Sequence, residues 1–560
     1  MTRQPQIRET MDGETGHPNF RGLPRIIYND DSCTLRTAPP PHTVESIACA
    51  LYYLKDTQVD CLCWCVGGQV AYAWPSKVLE NIYDLKDRCG NLKAGSHEWK
   101  NDLDVMYSLH RQGVDYLPHL IQRAHGQKLM FFASFRMNDT HLKSYPNSYL
   151  APEFWKTHQH YRIWDATDGK SYYNAALDYS YPEVRDRYRD AIAEVAGMYD
   201  VDGIELDFTR SPYFFQPFEA WEKRGILTQF VREIGVMLER IGEARKRPLS
   251  LMLRVVSRER PLSTAGIDLC HWIKERLAPI LVISENCGNF NQDIGEWRAL
   301  CREAGVKLYP VALDGPLAAY NADYYSTLPR NPHGPRHDGQ VRMTDDEQIR
   351  LKRGAAQNLL SQRPDGVALF NFPCWLAEGK NIMHTDPAAF RKVTALLSEL
   401  GSLETLARKD KCYTFYLDLP IYVEANRPRQ FHQTIPFMIR GEDIHEAMVT
   451  LRFRWIAEKN PHADGDFTQN PIVEPGLVKI YLNDGEIAEQ DLQKTTMPAG
   501  RIPSGFLLGP HETVEFQVSG GELRDGGNTL AFEMPKPLHE RDPYVYVYEL
   551  TVEVAFERRA

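Results

Sequence analysis

Between residues 25 and 400 the apolar positions of the chain switch repeatedly between two periods. Short runs rich in Val, Ile, Leu and Phe, at 25–30, 59–66, 128–136, 201–210, 249–256, 280–284, 307–313 and 366–372, show the alternation or the unbroken apolar character of strands. The stretches at 43–55, 102–124, 184–199, 217–245, 269–277, 295–304, 347–361 and 387–406 repeat their apolar residues at helical spacing. Eight strands, most of them followed by a helix, predict an α/β chain whose parallel strands close into a (β/α)8 TIM barrel. The run at 128–136 is apolar almost throughout, as a strand buried on both faces requires.

Beyond about residue 410 the helical period disappears. Short segments rich in Val, Tyr and Phe, at 413–419, 447–455, 478–482, 513–518, 529–533 and 544–556, are separated by turn signals such as Asn483-Asp484-Gly485 and Asp525-Gly526-Gly527-Asn528. That pattern predicts an antiparallel β-sandwich. The expected organisation is a disordered tail at 1–22, a barrel at 23–408 and an accessory sandwich at 409–560. Ser180-Tyr181-Pro182-Glu183 and Thr344-Asp345-Asp346-Glu347 read as capping boxes opening two helices.

The stretch Val201-Asp202-Gly203-Ile204-Glu205-Leu206-Asp207-Phe208-Thr209-Arg210 organises the rest. As a strand it sends Ile204, Leu206 and Phe208 to one face and Glu205 and Asp207 to the other. In a barrel the oily face packs under the helices and the acidic face points inward. Asp207 then stands near the carboxyl end, where such barrels keep their chemistry. Glu205 sits two residues, about 6.6 Å, deeper, where a buried carboxylate tied to an arginine is the competing structural reading. Other polar residues fall at predicted strand ends: Arg136, Asn138 and Asp139 after the third, Arg210 and Tyr213 after the fourth, Arg254 on the fifth, Glu285 after the sixth, Asp314 after the seventh and Asn371 on the eighth.

Composition narrows the partners. A net charge of −10 over 560 residues, with no Lys/Arg-rich run, argues against nucleic acid and anionic membranes. No stretch of 18 apolar residues and no export signal is visible, so a cytoplasmic protein is expected, with a trimmed leader compatible with the sequence. The 11 cysteines include Cys61, Cys63 and Cys65 alternating along one strand, a spacing of small buried hydrophobes rather than of a disulfide or zinc site. His158-Gln159-His160 is a weak metal signal and Gly67-Gly68 does not match a phosphate loop, so no metal or cofactor is expected. Aromatic residues reach 11%, and the long excursion at 140–178 carries eight of them, which suits the wall of a cleft that stacks on sugar rings. A homo-oligomer is compatible with the sequence.

Leu177-Asp178-Tyr179-Ser180-Tyr181-Pro182-Glu183-Val184-Arg185-Asp186, followed by Tyr199 to Phe208, resembles the fourth-strand region of bacterial glycosyl-hydrolase-like (β/α)8 barrels distantly related to glycoside hydrolase family ten. There a PEVRD helix likewise precedes a DGI…D strand. The text FFASFRMND, ending at Asp139, and LFNF at Leu369 to Phe372 are similar to a bacterial subgroup of those barrels. The resemblance covers roughly residues 25–400 and implies a sugar-cleaving barrel with acidic residues at its strand ends. The chain lacks the NEP-type fourth-strand ending of family-ten xylanases, so no acid/base assignment carries over from them.

Glycoside cleavage needs two carboxyl groups, about 5 Å apart for retention and about 6.5–9.5 Å for inversion. Asp207 supplies one, and Glu285, beside a mostly apolar strand end, is the expected general acid. Asp314 is the other candidate, with Gly-Pro turn chemistry as its bland reading. Glu205, Arg136, Asn138, Asp139, Arg210, Tyr213, Arg254, Asp314 and Asn371 are expected around the substrate, an oligo- or polysaccharide. The arginines either neutralise buried carboxylates or bind an acidic sugar. A non-catalytic carbohydrate-binding protein on the same scaffold and a polysaccharide lyase are the alternatives.

Overall fold

The computed structural model describes residues 23–32, 34–35, 38, 40–68, 73–83, 100–140, 151–163, 175–285, 289–314, 345–372, 387–415, 421–423, 433–458, 469–470, 472–501, 507–535 and 544–556. The expected tail at 1–22, Thr344 of the second capping box and most of the aromatic excursion lie outside them. Eight parallel strands close a barrel in chain order: β1 Ile26–Asp30, β2 Val59–Gly67, β3 Met130–Arg136, β4 Gly203–Asp207, β5 Ser250–Val256, β6 Ile280–Ser284, β7 Lys307–Asp314 and β8 Val367–Phe370, with β8 returning to β1. The predicted (β/α)8 barrel and the antiparallel sheets after it are both present.

The period of two sorts the strand residues as a barrel demands. Ile27, Cys61, Cys63, Phe132, Met252 and Val282 pack together inside, so positions two residues further along each strand rise up the same interior face. Cys61 and Cys63 of β2 are therefore part of the filling, Cys65 near the strand's end is half-buried, and every described cysteine is free.

β4 is fixed from below by Asp202, whose Oδ2 accepts from the Phe131 amide at 2.8 Å and bonds to His125 Nε2 at 2.9 Å. Gly203 follows because a Cβ there would collide with the Phe132 ring and the Ser250 carbonyl. Helix Pro182–Met198, which leads into β4, starts with proline in its first turn but without the expected capping box. Tyr181 is its N-cap, while the Ser180 amide binds Asp178 Oδ1 at 2.8 Å, so a local Asx turn takes the place of the serine cap. The helix expected from 217 starts at Arg224, and residues 217–223 wind as hydrogen-bonded turns. Helix Glu259–Ala265 was not legible in the spacing.

The chain divides into two compact units, residues 1–286, 294–311 and 364–401 in one and 287–293, 312–363 and 402–560 in the other. The second contains a seven-stranded sheet centred on Ala447–Glu458 and Tyr544–Phe556, and a four-stranded sheet containing Thr434–Ile439 and Gly526–Glu533. Tyr413, Phe453, Trp455, Phe516 and Phe532 fill its core. Asn483, at φ 55°, makes the tight turn between Lys479–Leu482 and Gly485–Ile487 that its Asn-Asp-Gly text announces. In that core Lys411 Nζ lies 3.1 Å from Glu442, whose other oxygen accepts from the Tyr413 hydroxyl.

Candidate active site

Interior parity carries Asn29 and Asp31 from β1, Ser134 and Arg136 from β3, Glu205 and Asp207 from β4, Arg254 from β5 and Phe370 from β8 toward the carboxyl end of the barrel. Arg136, Asp207 and Arg254 are direct register partners across β3, β4 and β5. The carboxylate of Asp207 is fully engaged: Arg254 Nη1 donates to Oδ2 at 3.1 Å, and the Thr209 amide and hydroxyl donate to Oδ1 at 2.8 and 2.6 Å. The Arg254 guanidinium stacks on the Phe370 ring, 4.4 Å from its centroid.

One layer deeper, Glu205 receives the Asn29 amide on Oε2, while Oε1 has no hydrogen-bond partner among the described residues. Glu205 is 1% exposed and Asp207 2%. Burial first, and the neighbouring Asp207 charge second, push the Glu205 carboxyl up from 4.5 to about 7, against the lowering pull of Arg254, Ser134 and Asn29.

On β3 beside Asp207, Arg136 is clamped between two carboxylates, with Nη2 on Asp31 and Nη1 on Asp139 at 2.7 Å. Burial alone would raise Asp31, but the charges of Arg136 and Arg210, with hydrogen bonds from Arg136 and Asn371, hold it below the usual carboxylate range. Burial opposes the Arg136 charge as well, yet Asp31, Cys65 and Asp139 hold its pKa well above the ordinary value. Asn371 is bent into the left-handed region at φ 45°, which turns its side chain onto Asp31: Nδ2 donates to Oδ2 at 2.7 Å and Oδ1 accepts the Asp31 amide at 2.8 Å. Four carboxyls, Glu205, Asp207, Asp31 and Asp139, thus meet three guanidiniums, Arg136, Arg254 and Arg210. The surplus negative charge is relieved where a buried carboxyl is most poorly paired, at Glu205.

Of the remaining expected site residues, Glu285 and Asn138 are held by other partners. Glu285 is out of phase with the interior residues Ile280 and Val282, and both Nε and Nη2 of Arg258 donate to its Oε2, at 3.1 and 2.9 Å. Asp314 ends β7, with its side chain outside the described residues. Asn138 spends its amide on the backbone, donating to the Leu177 and Tyr213 carbonyls and accepting the Leu177 amide. It thereby bolts the segment containing Tyr213 to the end of β3. Asn29, Asp31, Ser134 and Thr209 were not singled out from sequence. The period of two through Ile27, Asn29 and Asp31 was the available signal for the first pair.

Phe154, His158 and Tyr161 stack against one another in the described part of the long excursion. Among the described residues no group of three or more His, Cys, Asp or Glu could hold a metal, and no helix is long and apolar enough to cross a membrane.

Comparison with known proteins places part of this geometry. Residues 93–220, which contain β3, β4, Arg136, Asp139, Glu205, Asp207 and Arg210, match a family profile. That profile is described as Glycosyl hydrolase-like 10. No curated protein matches the chain in sequence. Among solved structures, a family 18 N-acetylglucosaminidase from Paenibacillus barengoltzii shares 12% identity over 66% of this chain and 98% of its own, with a TM-score of 0.32. An alpha-galactosidase from Lactobacillus brevis shares 12% identity over 97% of this chain and 56% of its own, with a TM-score of 0.33. Likenesses this loose carry no argument about the site. The chain is a TIM barrel with additional β-sheets, and its segment 93–220 is similar to a glycosyl-hydrolase-like family.

Proposed function

We propose that this barrel hydrolyses glycosidic bonds in an oligo- or polysaccharide, with the β4 carboxyls as its chemical centre. The observation that carries the reading is the unequal pairing of two neighbouring interior carboxyls of β4: Asp207 is ion-paired with Arg254, whereas Glu205 keeps one oxygen without a hydrogen-bond partner among the described residues, and burial pushes its carboxyl up to about 7. A buried carboxyl raised in this way beside one that is ion-paired suits an acid and its charged partner. Glu205 is the proton source and Asp207 the carboxylate that stabilises positive charge developing on the sugar ring. Glu285, held by Arg258 outside the interior phase, takes no part in this reading.

The hydrolase-like family match over residues 93–220 supports the substrate class. A second reading, carbohydrate binding without turnover, is favoured by the low exposure of both carboxyls and by the complete engagement of Asp207. Substitution Asp207→Asn separates the two. Loss of reducing-end release with retained sugar binding supports hydrolysis. A wild-type protein that binds sugar and never releases a reducing end supports the binding module, and release of unsaturated uronate products points to a lyase.

A further inference from the structure

Arg136 leaves one of its three guanidinium nitrogens without a hydrogen-bond partner among the described residues. Its terminal nitrogens go to Asp31 and Asp139, while Nε has no hydrogen-bond partner among the described residues, although the side chain is only 6% exposed. A buried N–H without an acceptor is rare in native proteins, and a guanidinium N–H can only donate. Glu205 Oε1, buried on the same interior face, is likewise without a partner among the described residues.

Resting on the hydrolase reading above, we infer that this site takes a neutral sugar, with a hydroxyl on Arg136 Nε–H, and that Asp31 and Asp139 are the specificity-determining residues that exclude uronates and sulfated sugars. An anionic sugar needs a cation whose charge is not already spent. Among the described residues, Arg136 lies between two aspartates, Arg254 is on Asp207 and covers the Phe370 ring, and the charge of Arg210 falls on Asp31. A carboxylate brought to Arg136 would meet Asp31 and Asp139 on the same guanidinium, and like charges in one partly desolvated place repel strongly. A hydroxyl meets no such penalty. It can accept from Nε–H and also donate to the unpartnered Glu205 Oε1, whereas a carboxylate can only accept.

The test is isothermal titration of the full chain with neutral oligosaccharides, such as gluco-, xylo- and manno-oligomers, and with galacturonate and mannuronate oligomers of the same length. The expected result is neutral binding at least about tenfold tighter than uronate binding. The near-isosteric variants Asp31→Asn and Asp139→Asn, each checked for folding by circular dichroism, leave Arg136 charge unspent and narrow that ratio by about tenfold. If one variant fails to fold, the other is read with the wild type. A uronate binding the wild type more tightly than its neutral counterpart overturns the inference alone. So does an unchanged ratio in the folded variants. Binding of no sugar of either kind overturns it together with the hydrolase reading.

Discussion

Replacing Glu205 by Gln gives a neutral side chain of the same shape, and the consequence can be worked from one group. The folded carboxyl holds its proton up to about pH 7, whereas its ordinary value is 4.5. At about 1.4 kcal/mol per pH unit, that difference corresponds to about 3 kcal/mol. The sign follows from proton binding: between pH 4.5 and 7 the folded state holds a proton that the unfolded chain has released. The stabilisation is therefore complete below pH 4.5, is lost as the pH rises through 7, and does not return above it. Glutamine has no such dependence and still offers Asn29 an acceptor. Urea unfolding of both proteins across pH 4.5–8, followed by tryptophan fluorescence, isolates the effect, because other titrating groups cancel in the difference. The variant should gain on the wild type by about 3 kcal/mol between pH 4.5 and 7.5. A difference that stays flat across the range would show that Glu205 ionises like an ordinary glutamate, and the acid assignment would go with it.

Arg254→Met leaves Asp207 buried without its cation and should cost about 3–5 kcal/mol in denaturant unfolding, whereas Asp207→Asn in the same background should recover part of that loss. Gly203→Ala forces a methyl group into the Phe132 ring and the Ser250 carbonyl, and should lower stability by about 3 kcal/mol through overpacking, read as a shift in the urea midpoint at unchanged slope. In the second unit, Lys411→Met strands the buried Glu442 with only the Tyr413 hydroxyl. The loss should be about 3–5 kcal/mol at neutral pH and shrink toward acid pH, where Glu442 takes up a proton.

The barrel was legible because its strands state their inward and outward faces in the sequence itself. Glu205 and Asp207 alternate with Ile204, Leu206 and Phe208, and the structure sets the acids in the interior phase beside Asn29 and Arg254. The sandwich turn at Asn483 was legible for a similar local reason, the tolerance of asparagine for a positive φ. The site was read less well, because strand ends are easy to find while the phase of a residue just past one is not. Glu285 follows a strand whose interior residues are Ile280 and Val282, so counting by two would already have set it apart. Asn371 shows the opposite case: it is out of phase with Phe370, and only its left-handed backbone brings it onto Asp31. The raised Glu205 carboxyl had no local signature at all. It depends on which arginines Asp31, Asp139 and Asp207 have already claimed, and the partners of Asp31 and Asp207 come from other strands.

The account turns on whether the β4 carboxyls break a sugar bond. The most direct measurement is reducing-end release from a panel of neutral oligosaccharides at pH 6, comparing wild type with Glu205→Gln after both are shown to bind the same sugar. Release by the wild type and its loss in the variant, with binding retained, is the predicted result. Equal release by both proteins, or sugar binding by the wild type with no release from any member of the panel, would contradict it.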